Sequence, residues 1–343
     1  MEYRKLGNSG TAVSAYALGT MTFGAEADEA TSHQIMSAYA AEGGNFIDTA
    51  DVYTAGASET IIGSWLARNP TERDQMVVAS KGRFPMGDGV NDLGLSRRHL
   101  RRALDDSLTR LGVDHIDLYQ VHSWDPLTPL EETLSFLEDS IRNGKIGYYG
   151  FSNYSGWQLT KAAMMAKAHG WNAPVTLQPQ YSLLVREIES EIVPAALDAG
   201  IGLLPWSPLG GGWLTGKYQR DTSPTGETRL GENPERGMEA WKERNSQERT
   251  WRIIDTVVEI AAERGVTASQ VALAWVAQQP AVTSVILGAR NTAQLADNLG
   301  ADVVQLTARE VDRLSAVSAP EVSDYPYGVP GQEQRSRIID GGR

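Results

Sequence analysis

The 343-residue sequence contains no cysteine. That excludes disulfides, thiolate metal sites and a cysteine nucleophile, and leaves the compartment open. Five histidines, His33, His99, His115, His122 and His169, stand without H-E-x-x-H or comparable spacing, so no metal is expected. No stretch approaches the roughly 18 apolar residues of a membrane span. The polar start from Met1 to Leu6 has no signal-peptide core, so a cytoplasmic protein without membrane association is expected. Positive charge is scarce: 31 Lys and Arg face 43 Asp and Glu, a net charge of -12 at pH 7. Non-specific nucleic-acid binding draws on clustered cations, so nucleic acid is not an expected partner. Also missing are a G-x-G-x-x-G turn after any strand and a G-x-S-x-G nucleophile elbow. The segment Gly211 to Lys217 matches G-x-x-x-x-G-K, but Tyr218 stands where a Ser or Thr would hold magnesium.

What remains is an ordinary globular composition, 41% hydrophobic and 22% charged, with enough apolar residues for a large core. Short apolar runs alternate with longer stretches of helical period, the pattern of parallel βαβ units. The strands expected are Ala17 to Phe23, Phe46 to Ala50, Met76 to Lys81, Ile116 to His122, Ile146 to Ser152, Val175 to Gln180, Ile201 to Ser207 and Ser284 to Ala289. Helical patterns lie between them at Glu29 to Glu42, Arg97 to Leu111, Leu130 to Asn143, Trp157 to His169 and Glu187 to Leu197. Eight strands with intervening helices favour an α/β fold of the (β/α)8 TIM-barrel type, with residues 1–343 as a single domain. Three segments fall outside the repeat. Tyr3 to Ser14 carries a turn signal at Gly7 to Gly10 and is expected to form an N-terminal hairpin at the barrel's bottom. Gly210 to Gln247 is a long polar loop of the kind that is usually functional or mobile. The Pro- and Gly-rich tail, Ala319 to Arg343, is expected either to cover the barrel mouth or to remain disordered.

In parallel barrels the polar residues at the carboxyl ends of the strands face the active site. Here the second strand ends in Asp48, with Tyr53 in the loop beyond, the third ends in Lys81 and the fourth in His122. The segments Asp48-Thr49-Ala50-Asp51-Val52-Tyr53, Ala79-Ser80-Lys81 and Gln120-Val121-His122 resemble the catalytic segments of the aldo-keto reductases. The resemblance runs from Tyr3 to about Ala319. The opening, Tyr3 to Gly7 with Leu18-Gly19-Thr20-Met21-Thr22-Phe23-Gly24, is similar to the bacterial oxidoreductase branch related to potassium-channel β subunits.

The resemblance implies reduction of a small carbonyl compound by NADP(H), with Asp48, Tyr53, Lys81 and His122 as the catalytic set. Hydride addition to a carbonyl leaves an alkoxide that needs a proton, and a tyrosine with a pKa near 10 is a reluctant donor unless a neighbouring cation lowers that value. Lys81 is expected to do so for Tyr53. Asp48 would hold Lys81 in place, and His122 would hydrogen-bond the carbonyl oxygen.

For the cofactor, the resemblance implies that Ser152, Asn153 and Gln178 bond the nicotinamide carboxamide and that Trp206 stacks on its ring. Gly19, Thr20, Met21, Asp48, Ser207, Pro208, Leu209, Gly211 and Lys217 would complete that side of the cofactor site. After the eighth strand, Gly288 to Asn298 resembles the family's 2′-phosphate site. Arg290 would give bidentate bonds beside a helix start, and Gln294 and Asn298 follow at four-residue spacing. Asp297 would contact the adenine. This arrangement favours NADPH over NADH. Phe23, Tyr53, Phe84, His122 and Trp124, with Met21 and Trp213, are the expected pocket walls, apolar and aromatic. A second reading, suggested by the channel β subunits, is an NADPH-binding redox sensor or regulatory subunit. A barrel of unrelated chemistry is a third, since fold alone does not fix function.

Overall fold

The structure, a computed structural model, describes residues 1–226, 229–232, 234–235 and 239–328. A two-stranded antiparallel hairpin opens the chain, β1 (Tyr3–Lys5) pairing with β2 (Ala12–Ser14) in the register Tyr3 to Ser14. Eight parallel strands follow: β3 (Tyr16–Gly19), β4 (Phe46–Asp48), β5 (Val77–Gly82), β6 (Ile116–Val121), β7 (Ile146–Ser152), β8 (Thr176–Gln178), β9 (Gly202–Leu203) and β10 (Val285–Gly288). They pair in chain order, with β10 returning beside β3. The ring closes where the Ile286 amide donates to the Pro205 carbonyl at 3.0 Å and Leu203 bridges Val282. The fold is a (β/α)8 barrel, as the alternation of elements predicts.

Alternate residues of each strand point to opposite faces. Ala17, Phe46, Val77, Ala79, Leu118, Leu204 and Ile286 form one apolar cluster, the barrel interior. Their strand neighbours Leu18, Ile47, Val78, Tyr119, Leu177, Leu203 and Leu287 belong to the larger cluster beneath the helices. Leu6 and Val13 of the hairpin join the interior cluster, so the hairpin plugs the end of the barrel where the strands begin. Gly7 makes that plug fit: at φ +55°, a Cβ there would lie 1.9 Å from the Val175 carbonyl oxygen.

The helices keep their expected periodicity. Arg97–Leu111 buries His99, Leu100, Ala103, Leu104, Ser107 and Leu111, is capped by Ser96, and ends at Gly112 with φ 63°. Several expectations change: the strand expected from Ala17 to Phe23 ends at Gly19, and the one expected from Val175 to Gln180 covers only Thr176–Gln178. Glu187 to Leu197 is broken into a 3-10 turn, Glu187–Glu189, and a helix, Ile192–Ala199. Pro194 lacks the N–H that a continuous helix would use, and it is tolerated because it falls in the first turn of the shorter one. The strand expected from Ile201 to Ser207 shrinks to two residues, since Pro205 cannot donate to the ladder.

The long loop after β9 is anchored by stacked tryptophans, Trp213 on Trp241 with ring centroids 4.9 Å apart and Trp251 edge-on at 5.7 Å. Of the tail, residues 329–343 lie outside the described residues. Within 319–328, Tyr327 donates to Glu191 beside the start of the helix Ile192–Ala199. No helix among the described residues is long and apolar enough to cross a membrane.

Candidate functional site

The inward parity that fills the barrel with apolar residues continues to the carboxyl ends of the strands, and there the inward residues turn polar. From Phe46 the next inward position on β4 is Asp48, from Ala79 on β5 it is Lys81, and from Leu118 on β6 it is Gln120, with His122 just beyond. Asp48 and Lys81 are buried, at 2% and 0% exposure. Lys81 Nζ donates to Asp48 Oδ2 at 2.6 Å, to the Thr49 carbonyl at 2.8 Å and to Tyr53 Oη at 3.5 Å. The second carboxylate oxygen of Asp48 accepts from the Gln178 amide at 2.8 Å and from the Gln120 amide at 3.1 Å. The ion pair therefore has the extra hydrogen bonds that a buried charge requires.

Tyr53 is half-buried at the rim of this cluster, its ring edge-on to His122 with centroids 5.8 Å apart. Burial raises the Tyr53 pKa, and the Lys81 charge opposes this without overcoming it. Lys81 thus acts on Tyr53 in the expected direction, but burial outweighs it and the net shift is upward. Burial pulls the Lys81 pKa down, but Asp48 and then Tyr53 outweigh it, and the net direction is up. His122 is driven the other way, to about 2, by burial and by the charges of Lys81 and Arg83, so its ring is neutral. Its Nδ1 is the buried nitrogen and has no hydrogen-bond partner, which leaves Nε2 to face the mouth.

Next to these groups the strand ends of β7, β8 and β9 make a polar shelf. Ser152 Oγ donates to the Gln178 carbonyl at 2.9 Å. Asn153, in the left-handed region at φ 56°, donates to the His122 carbonyl at 3.0 Å and accepts from the Trp206 indole at 3.1 Å. Ser207 is also left-handed, at φ 53°, where the chain leaves Trp206, half-buried itself, for Pro208 and Leu209. A nicotinamide carboxamide fits this shelf: Gln178 commits its amide nitrogen to Asp48 and keeps its oxygen, and Ser152 and exposed Asn153 retain acceptor capacity. Gly19 sits at the end of β3 and Met21 is exposed, whereas the Thr20 hydroxyl is buried on the Asp48 carbonyl and Ser58.

At the other end of the expected cofactor site, Arg290 makes a bidentate pair with Glu232, both bonds 3.0 Å, and Glu26 lies 3.9 Å away. The Arg290 backbone N–H is taken by Gln294 Oε1 at 2.9 Å. A phosphate at Arg290 must displace Glu232. Gly288 is exposed beside it. Asn298, expected on one face with Arg290 and Gln294, is turned inward, 6% exposed and donating to the Gly288 carbonyl, and Asp297 accepts from Gln270. Gly211 is left-handed in the 3-10 turn Gly210–Thr215, and Lys217 Nζ lies over the Tyr218 ring at 5.1 Å.

Of the expected pocket walls, Phe84 and Trp124 are half-buried at the mouth, Phe84 touching His122 with ring centroids 4.6 Å apart. Phe23 and Trp213 are not walls. Both are 0% exposed in the outer core, and Trp213 is tied to the Glu239 carbonyl at 3.0 Å.

Sequence reasoning missed Gln120 as a bond to Asp48, although the alternation of β6 points it inward. It also missed a second carboxyl group beside Lys81. Asp51 is 0% exposed, neither carboxylate oxygen has a hydrogen-bond partner, and its amide donates to the Lys81 carbonyl at 3.0 Å. Burial, then the charge of nearby Glu59, push its pKa to about 7. Glu59 is itself fully buried and held by Ser80 and, at 2.7 Å, by Arg110.

The model of the Aldo/keto reductase family matches residues 16–319. The chain is 40% identical over 314 residues to an uncharacterized oxidoreductase of Bacillus subtilis (strain 168), YrpG, covering 89% of this chain and 92% of that one. It is 37% identical over 321 residues to a probable voltage-gated potassium channel subunit beta of Oryza sativa subsp. japonica, covering 92% and 96%. It is 34% identical over 346 residues to versiconal hemiacetal acetate reductase of Aspergillus parasiticus, covering 94% and 98%.

Proposed function

The chain belongs to the aldo/keto reductase family, and from that premise we propose that it is an NADPH-dependent oxidoreductase reducing an aldehyde or ketone to the alcohol. The observation that carries this reading is the buried Lys81–Asp48 pair with Tyr53 Oη 3.5 Å from Lys81 Nζ and His122 alongside. When bound, NADPH supplies the hydride. As negative charge develops on the substrate oxygen, Tyr53 gives up its phenolic proton; with its pKa raised, the hydroxyl is fully protonated at neutral pH. Lys81 lies next to the phenolate that forms and stabilises it, which lowers the cost of the transfer that burial would otherwise impose. Asp48 fixes Lys81 and keeps it charged, with Gln120 and Gln178 holding the carboxylate. Neutral His122 donates from Nε2 to the same substrate oxygen and orients it.

Ser152, Asn153 and Gln178 would hold the carboxamide of the cofactor, Trp206 its ring, and Arg290 with Gln294 its 2′-phosphate. The name versiconal hemiacetal acetate reductase fits carbonyl reduction by a relative of this length. The test is NADPH consumption against aromatic, aliphatic and dicarbonyl substrates, with the alcohol product identified. Alcohol formed one-for-one with NADPH oxidised is expected, and tight NADPH binding without multiple turnovers on any of them would refute it. That second outcome fits an NADPH-binding regulatory subunit, the reading favoured by the likeness to the rice channel subunit.

A further inference from the structure

Directly beyond Lys81 and Gly82, the chain places Arg83 at the mouth. Its guanidinium lies over the Phe84 ring at 5.1 Å and donates from Nη2 to the Trp124 carbonyl at 3.3 Å. Phe84 in turn touches the His122 ring, and the charge of Arg83 is felt at His122. The cation is thus bounded by the two pocket aromatics and the histidine.

Among the described residues Arg83 forms no ion pair. Arg110, Arg186 and Arg244, which are also largely buried, each hold a carboxylate at 2.7, 2.8 and 3.0 Å. Among the described residues no carboxylate stands in salt-bridge contact with Arg83, and its Nε is buried without a hydrogen-bond partner. Asp125, a carboxylate that senses it, is already engaged by the Leu95 amide at 2.9 Å, the Leu127 amide at 3.0 Å and the Thr128 hydroxyl at 2.7 Å. A guanidinium has five N–H donors in a planar fork that matches a carboxylate, and here the one hydrogen bond, from Nη2 to Trp124, leaves donors of the fork for a ligand at the mouth. Lys81, the other cation here, is already paired with Asp48. Arg290 follows β10, which β3 and β4 separate from β5, and is engaged by Glu232. The net charge of -12 cannot draw an anion to the mouth from a distance, so recognition must be local.

We propose that Arg83 is the substrate-anion site of this enzyme, and that its preferred substrates are carbonyl compounds carrying a carboxylate, held by the Arg83 fork between Phe84 and Trp124 while the carbonyl faces Tyr53 and His122. The proposal rests on the carbonyl-reductase reading for its chemistry but not for its anion site. Phe84 and Trp124 offer ring faces and edges to a planar substrate, so an aromatic carboxy-aldehyde is the natural probe.

The test compares 4-formylbenzoate with its methyl ester, which has a similar ring and aldehyde but no charge, in wild type, Arg83→Leu and Arg83→Lys. Wild type should favour the acid in kcat/KM. Arg83→Leu should lower the acid-to-ester ratio about 10-fold or more, since a hydrogen bond between charged groups is worth that much. Arg83→Lys, which keeps charge and loses the fork, should fall between. A purely structural role would slow both substrates together and leave the ratio unchanged, and that result overturns the proposal, as does a wild-type ratio near one. Calorimetric binding of benzoate in the presence of NADP+ provides a readout without turnover, expected to weaken about 10-fold or more in Arg83→Leu. If wild type reduced neither aldehyde but bound benzoate through Arg83, the anion site would stand and the carbonyl-reductase reading would fall. If both aldehydes were reduced and benzoate bound equally to wild type and Arg83→Leu, the reverse would hold.

Discussion

Asp51→Asn should change how stability responds to pH. The substitution keeps the shape of a fully buried side chain and removes its ability to ionise. In the folded protein, burial and the nearby Glu59 hold the Asp51 proton up to about pH 7, against an ordinary value of 3.8. The unfolded chain releases the same proton near pH 4. Between those limits the folded state binds more protons than the unfolded one, so this group stabilises the fold in acid and that contribution is lost as pH rises towards 7. At about 1.36 kcal/mol per pH unit the full span is worth about 4 kcal/mol, and about 2.5 kcal/mol of it falls between pH 5 and pH 8. The assay is urea unfolding of wild type and Asp51→Asn at those two pH values. Asparagine also leaves polar atoms buried without partners, so the informative quantity is the change in the difference between the two proteins, which cancels that cost. Asp51→Asn should gain about 2.5 kcal/mol relative to wild type on going from pH 5 to pH 8, with an unchanged denaturant slope. An equal pH response in both proteins would mean that Asp51 ionises as it does in water, and would refute the reasoning.

Two further outcomes follow from the same site. Lys81→Met strands the Asp48 carboxylate and should cost about 3–5 kcal/mol of stability. Combining it with Asp48→Asn should cost clearly less than the sum, and additivity within about 0.5 kcal/mol in urea unfolding would contradict a coupled pair. At the expected phosphate site, Arg290→Ala should raise KM for NADPH by about 10-fold or more with little effect on NADH. Glu232→Gln should lower KM for NADPH, because it removes the carboxylate that a phosphate must displace; no change in either variant would move the 2′-phosphate away from Arg290.

The sequence carried the barrel because its signal is redundant: strand follows helix many times, and each strand alternates between the interior and the helical layer. The same alternation placed Asp48, Lys81 and His122 at one mouth, and read strictly it also points Gln120 inward from Leu118. What it could not carry depends on loop paths and distant partners. Phe23 and Trp213 lie beyond strand ends, where side-chain direction is set by the loop, so core and pocket look alike in sequence. Glu232 reaches Arg290 from 58 positions upstream. The rise in the Tyr53 pKa follows from burial outweighing Lys81, a balance visible only once the surrounding packing exists. The break at Pro194 was legible, since a proline in a helical pattern marks a first turn or an end.

The measurement that bears most directly on the central claim is carbonyl reduction by Tyr53→Phe, with NADPH affinity measured on the same protein. If Tyr53 is the proton donor, kcat should fall by about 100-fold or more while the NADPH dissociation constant stays within about threefold of wild type, because general acid catalysis contributes on that scale and the phenyl ring is retained. Turnover that survives the substitution would contradict a tyrosine-dependent reductase.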